Sequence, residues 1–167
     1  MFEPKPISRD GIPSALAKAE RYRLLNEPGE AESICLDVLR IDPANQTALV
    51  TLVLALTDQF SAEGSGKAAA RAGDVVSRLT DDYERAYYSG IISERRAKAH
   101  HLHGRAGSGP AVHEWLHEAM RAYDRAEALR PAGNDDAILR WNACARLLGE
   151  LPKVEPDVED PGLLQLE

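Results

Sequence analysis

A helical pattern that ends at a proline, from Tyr22 to Asn45, constrains the fold most strongly. Tyr22 lies late in a first run of apolar residues at helical spacing. Residues 26–29, Asn-Glu-Pro-Gly, then predict a turn. A second run has the small Ala31 near its start and Pro43 at its end, where proline has no N–H group with which to continue a helix. This stretch therefore predicts a pair of helices joined by a tight turn.

The same pattern returns near the C-terminus in a more complete form. Its positions are Ala119, Tyr123, Ala126, Leu129 and Pro131. The small residues let two helix backbones approach each other, and the aromatic ring fills the space beside them. One such pair cannot bury its apolar face alone, so we expect the pairs to stack.

These positions resemble the tetratricopeptide repeat, a helix–turn–helix unit of about 34 residues. The resemblance covers residues 12–149, with departures at Ala15, Lys18, Cys35 and Val38, where the family most often has other residue types. It is specific in the first and third helix pairs and inferred in the second. It implies an all-α fold, a right-handed α-solenoid of three tetratricopeptide-like helix hairpins plus a C-terminal capping helix.

Helical periodicity and turn residues predict seven helices inside these limits. We expect them at residues 12–25, 29–41, 45–59, 67–79, 82–103, 111–130 and 136–148. Residues 1–11 contain two prolines and predict an extended N-terminal segment. Residues 150–167 contain three prolines and six acidic residues, which predicts a flexible tail.

In the family, the first helix of each pair lines a concave groove that holds a peptide or a helix of a partner. The resemblance therefore implies a groove whose centre is apolar and whose rim is charged, an anatomy typical of a surface that recognises an apolar segment. The implied partner-binding residues are Leu16, Glu20, Arg23, Val50, Leu54, Tyr87, Ile91, Glu94, Arg95, Leu139 and Arg146. The alternative for each position is simple packing against a neighbouring helix. Leu16, Glu20 and Val50 stand where a known variant of the family clamps a carboxylate, so no such clamp is expected.

Charge and composition narrow the classes of partner. The formal net charge is −7, and no basic stripe with interleaved aromatic residues is present, which argues against nucleic-acid binding. No apolar run approaches the length of about 20 residues that a membrane span needs. The N-terminus has no apolar signal-peptide region, and Cys35 and Cys144 lie in apolar helical patterns. We therefore expect a cytoplasmic protein with two buried, reduced thiols, a disulfide being the alternative.

The histidines raise a different hypothesis, because all five lie between His100 and His117. His113-Glu114-Trp115-Leu116-His117 satisfies the pattern H-E-x-x-H, in which two imidazoles on one helical face bind zinc and the glutamate activates a water. The same helix already carries the repeat pattern, which places His113 and His117 on the opposite, exposed side. We therefore predict no catalytic residue, metal or cofactor, and regard the two histidines as solvated polar groups.

The sequence thus predicts a non-catalytic protein–protein interaction module, an adaptor, scaffold or chaperone-like assembly factor that binds a peptide or helix in its groove. Two alternatives stay open. One is a zinc-dependent hydrolase that uses His113, Glu114 and His117. The other is a homo-oligomer in which the Leu-Leu-Gln-Leu stretch of the tail, residues 163–166, docks in the groove of a neighbouring copy.

Overall fold

The computed structural model describes residues 2–61, 65–103 and 109–152. These residues contain no β-strand and form one 3₁₀ turn, Arg9–Gly11, followed by seven α-helices. The helices are α1 (Ile12–Leu24), α2 (Pro28–Ile41), α3 (Gln46–Asp58), α4 (Ser65–Val76), α5 (Asp82–His103), α6 (Gly109–Leu129) and α7 (Asp136–Glu150). The predicted all-α class is confirmed. Nowhere in the described ranges is there a helix with the length and apolar character to cross a membrane.

The helix ends follow from local capping chemistry. The Asn45 side chain accepts a hydrogen bond from the Ala48 N–H at 2.9 Å and so begins α3. Asp81 does the same for α5, accepting from the Glu84 N–H at 2.8 Å. The last helix was predicted to end at residue 148, but α7 continues through Gly149 to Glu150. The stop comes from Pro152, which favours the extended backbone of the residue before it.

The helices pack in chain order, each one against the next. In addition, α1 packs on α3, and α3 packs on α5. The near-uniformly apolar α3 lies in the middle of this arrangement, with eight of its residues buried, as its sequence predicts.

Two apolar clusters form the core. The first is built by α1 to α4 around Leu49, Leu52 and Val53, and Tyr88 and Ile92 of α5 pack against it. The second lies between α5, α6 and α7, with Leu116 and Tyr123 at its centre. Because α5 contributes side chains to both clusters, it joins the two halves of the fold.

The N-terminal segment lies against the first helix pair instead of leaving it. Arg40 of α2 donates a hydrogen bond to the Pro4 carbonyl oxygen at 3.0 Å, and Arg9 donates to the Ile41 carbonyl oxygen at 3.5 Å. The Ser8 hydroxyl accepts from the Gly11 N–H at 3.1 Å, which begins the 3₁₀ turn. Residues 9–11, which were predicted to belong to an extended segment, thus form a 3₁₀ turn.

Candidate partner-binding face

The eleven predicted groove residues differ in exposure. Glu20, Leu139 and Arg146 are exposed, and six others are half-buried: Leu16, Arg23, Val50, Leu54, Tyr87 and Arg95. Ile91 and Glu94 are buried, with 1% and 0% of their surface exposed. The prediction that Ile91 and Glu94 line an accessible groove is therefore wrong. Helix α5 packs against neighbours on more than one side, so more of its surface is buried than in a helix at an open edge.

An ion-pair network ties the first three odd-numbered helices together. Asp58, the last residue of α3, accepts a hydrogen bond from Arg23 of α1 at 2.8 Å and another from Arg95 of α5. Arg95 also donates to the Thr57 hydroxyl at 2.7 Å and to the Leu54 carbonyl oxygen at 3.2 Å. The end of α3 is thus held between α1 and α5 by side chains that are only partly exposed.

Buried Glu94, which precedes Arg95 on α5, forms a second group of contacts that reaches α7. Its carboxylate accepts from the Tyr123 hydroxyl and from the Lys98 ammonium group, each at 2.5 Å, and pairs with Arg140 of α7 at 3.2 Å. Burial alone would raise the pKa of Glu94, but the hydrogen bonds from Lys98 and Tyr123 and the charges of Lys98 and Arg140 outweigh it, so the pKa is lowered. Glu94 is therefore a charged group that holds α5, α6 and α7 together.

These contacts define what we call the odd-helix face. It is the surface on which the partly exposed side chains of Arg23, Asp58 and Arg95 link α1, α3 and α5. The buried carboxylate of Glu94 connects α5 to Arg140 of α7 from inside the fold. Beside these groups lie apolar side chains. Leu16 and Val50 pack against the first cluster, whereas Leu54 is half-buried and belongs to neither cluster. The odd-helix face thus combines apolar side chains with ion-paired charges.

Aromatic rings support α5 behind this face. Tyr87 stacks on Tyr83 with ring centres 5.7 Å apart, meets Tyr88 edge-on at 5.2 Å and contacts Tyr123 of α6 at 5.9 Å. Tyr87 is half-buried and packs against the second cluster. It is therefore partly a packing residue, the alternative that we left open for each groove position.

The histidine pattern does not converge on a shared site within the described residues. His113 is half-buried, and its Nε2 lies 3.1 Å from the Pro152 carbonyl oxygen, while Glu114 and His117 are exposed. No group of three or more histidine, cysteine, aspartate or glutamate side chains that could hold a metal ion occurs in the part of the chain that the structure describes. His100 contacts a different set of residues.

Sequence reasoning missed the cluster around His100. Its Nε2 lies 2.8 Å from the hydroxyl of buried Ser65, the first residue of α4, and its ring meets Trp115 of α6 edge-on at 4.7 Å. The Arg96 guanidinium lies over the same Trp115 ring, 4.1 Å from its centre. Helical spacing could have grouped Arg96 with His100, but Ser65 and Trp115 are brought in by tertiary packing alone. The cluster fastens the start of α4 to α5 and α6.

Both cysteines are buried and unpaired, as predicted. Burial raises the pKa of each thiol to about 12, so both are protonated at neutral pH. Cys35 belongs to the first apolar cluster and Cys144 to the second. Neither thiol has the lowered pKa of a nucleophile, and both act as small apolar core residues. The predicted docking stretch at residues 163–166 lies outside the described residues.

Comparisons with protein-family models, with curated proteins and with solved structures found no match to this chain.

Proposed function

We propose that this chain is a non-catalytic protein-binding module that holds a peptide or helix of a partner protein on its odd-helix face. In this role it acts as an adaptor, a scaffold or a chaperone-like assembly factor. The observation that carries the proposal is the two ion pairs at Asp58 that join α1, α3 and α5. It supports one continuous face built from helices that are not consecutive in the chain.

The chemistry of this face favours an amphipathic partner segment. Leu54 and Val50 offer apolar surface on α3, and exposed Leu139 offers more on α7. The guanidinium groups of Arg23 and Arg95 stay partly exposed at the edge of this surface. A partner helix or extended segment that places apolar side chains against α3 and polar ones near the arginines would match both features.

We also propose a finer description of this all-α fold. The helices form three tetratricopeptide-like hairpins, α1–α2, α3–α4 and α5–α6, in a right-handed array capped by α7. Two features support this description. Helices α1, α3 and α5 each pack on their hairpin partner, and α3 also packs on both α1 and α5. In the third hairpin, Gly90 lies against Tyr123, the pairing of a small residue with an aromatic ring that the repeat pattern requires.

Affinity capture with the purified chain as bait tests the function. We expect Leu54→Glu to lower the recovery of specific partners about tenfold or more, because a charge in the centre of an interface removes a contact worth about 2 kcal/mol. Leu54 is half-buried and lies outside both clusters, so the variant should keep its helix content. Circular dichroism checks this.

Leu36→Glu is the matched control. Leu36 is an exposed leucine on α2, away from the odd-helix face, and the same substitution there should leave capture unchanged. Loss of a partner with both variants would show that the contact is not confined to the odd-helix face. Equal recovery with Leu54→Glu and the unaltered chain, both folded, would refute the proposed binding surface.

A further inference from the structure

A cavity of about 280 Å³ lies between the N-terminal segment, the first half of α1 and the middle of α2. Its apolar walls come from Ile7, Ala15 and Ile34. The segment that carries Ile7 is held in place by the hydrogen bonds from Arg40 and Arg9 to backbone carbonyl groups. The cavity is therefore a formed feature with one wall supplied by the N-terminal segment.

Two opposite charges line the same cavity. Lys18 lies on α1 and Asp37 on α2, and neither takes part in an ion pair within residues 2–61, 65–103 and 109–152. The nearby arginines differ, since Arg9 and Arg40 are engaged with the backbone carbonyl oxygens of Ile41 and Pro4. An unpaired ammonium group and an unpaired carboxylate thus lie beside apolar walls.

We propose that this cavity binds a free α-amino acid with an apolar side chain. Such a molecule carries a carboxylate and an ammonium group on one carbon atom, which are complementary to Lys18 and Asp37. Its side chain would pack against Ile7, Ala15 and Ile34. A terminus or an interior segment of a peptide lacks one or both of these charges and would leave Lys18 or Asp37 without a partner.

The size of the cavity agrees with this ligand class. Pockets for drug-sized molecules span about 300–1,000 Å³, and this cavity is slightly smaller than that range. The site is also separate from the odd-helix face. Lys18 and Arg23 are five residues apart on α1 and so point about 140° away from each other around the helix. Binding here goes beyond the proposed partner recognition and does not depend on it.

Isothermal titration of the full chain with L-leucine tests the proposal, with leucinamide and N-acetyl-leucine as probes that each lack one charge. We expect saturable binding of one leucine per chain and at least about tenfold weaker binding of both derivatives. Lys18→Gln should weaken leucine binding by a similar factor and remove the preference for leucine over leucinamide. Asp37→Asn should remove the preference for leucine over N-acetyl-leucine.

Two controls locate the site. Lys67→Gln removes a lysine from the exposed surface of α4 and should leave binding unchanged. Ser14→Trp places a large ring at an exposed residue that lines the cavity and should abolish binding while the chain stays folded by circular dichroism. The proposal is overturned if leucine does not saturate, if either derivative binds as tightly as leucine, or if folded Lys18→Gln and Ser14→Trp bind like the unaltered chain.

Discussion

A single glycine allows α5 and α6 to approach each other at Tyr123. A Cβ atom on Gly90 of α5 would lie 2.5–2.9 Å from three ring atoms of Tyr123, nearer than real Cβ atoms come to other heavy atoms. The ring cannot easily move away, because Tyr123 is 1% exposed and its hydroxyl donates to buried Glu94. Gly90 and Tyr123 therefore fix the distance between α5 and α6 together.

We expect Gly90→Ala to destabilise the protein by about 1–3 kcal/mol, since overpacking outweighs the gain in helix propensity. Gly73→Ala is the matched control, because Gly73 also lies inside a helix but has no atom within 4 Å of an added Cβ. The control should be neutral or stabilising by up to about 1 kcal/mol. Urea unfolding measures both changes, and equal effects of the two substitutions would contradict the proposed contact.

At the level of elements, Glu94 is the group that joins three helices. Its charge is retained inside the protein because donors from α5, α6 and α7 converge on it: Lys98, Tyr123 and Arg140. Its pKa is lowered in the folded chain, so the unfolded chain takes up a proton there first as the pH falls. The contribution of this carboxylate to stability is thus complete above the ordinary glutamate pKa of about 4.3 and is lost as the pH falls through the folded value.

We therefore expect Glu94→Gln to cost about 3 kcal/mol or more at pH 7, as when one partner of a buried ion pair is removed, and less at pH 3.5. Urea unfolding of the unaltered chain and of the variant at the two pH values measures this cost. The two proteins share all their other carboxylates, so the effects of those groups cancel in the comparison. The exposed Glu118→Gln on α6 should change little at either pH. If the cost of Glu94→Gln is the same at both pH values, packing and not charge gives Glu94 its role.

The sequence predicted features that depend on neighbouring residues in the chain better than features that depend on tertiary contacts. Helix limits were predictable to within a few residues, because caps such as Asn45 and stops such as Pro43 act on their own neighbours. The residues that surround α5 could not be predicted in this way. Its pattern placed Glu94 on a groove, and spacing alone could have paired it with Lys98, but Tyr123 and Arg140 reach it only through the tertiary fold.

The two candidate sites also differ in how far the sequence predicted them. The resemblance to a helical repeat placed Arg23, Leu54 and Arg95 on one predicted face. In the structure the two arginines have a partner in common, Asp58. The cavity beside Lys18 and Asp37 was not predicted, since it depends on how the N-terminal segment lies across two helices. A segment without periodic apolar residues gives no sequence signal for such a position.

For the whole molecule, packing in chain order implies unequal local stability. Helix α3 lies between α1, α2, α4 and α5 and is largely buried, and α5 belongs to both apolar clusters. Helices α1 and α7 are the first and the last in this packing order and contact fewer helices than α3 and α5 do. Because each helix packs mainly on its neighbours in the chain, we expect the first and last helices to open while the centre stays folded.

Hydrogen exchange of the full chain, followed by mass spectrometry at neutral pH, tests this gradient. We expect amides of α3 and of the first half of α5 to exchange slowest and those of α1 and α7 to exchange fastest.

Two substitutions test whether the centre of the fold and the last helix open separately. Leu52→Ala, in the centre of the first cluster, should cost about 2–5 kcal/mol and speed exchange in all helices, because their slowest opening needs the centre to unfold. Leu148→Ala, half-buried on α7, should act mainly on α7 itself. Uniform protection across the seven helices, lowered equally by both substitutions, would instead show that the chain opens only as a single cooperative unit.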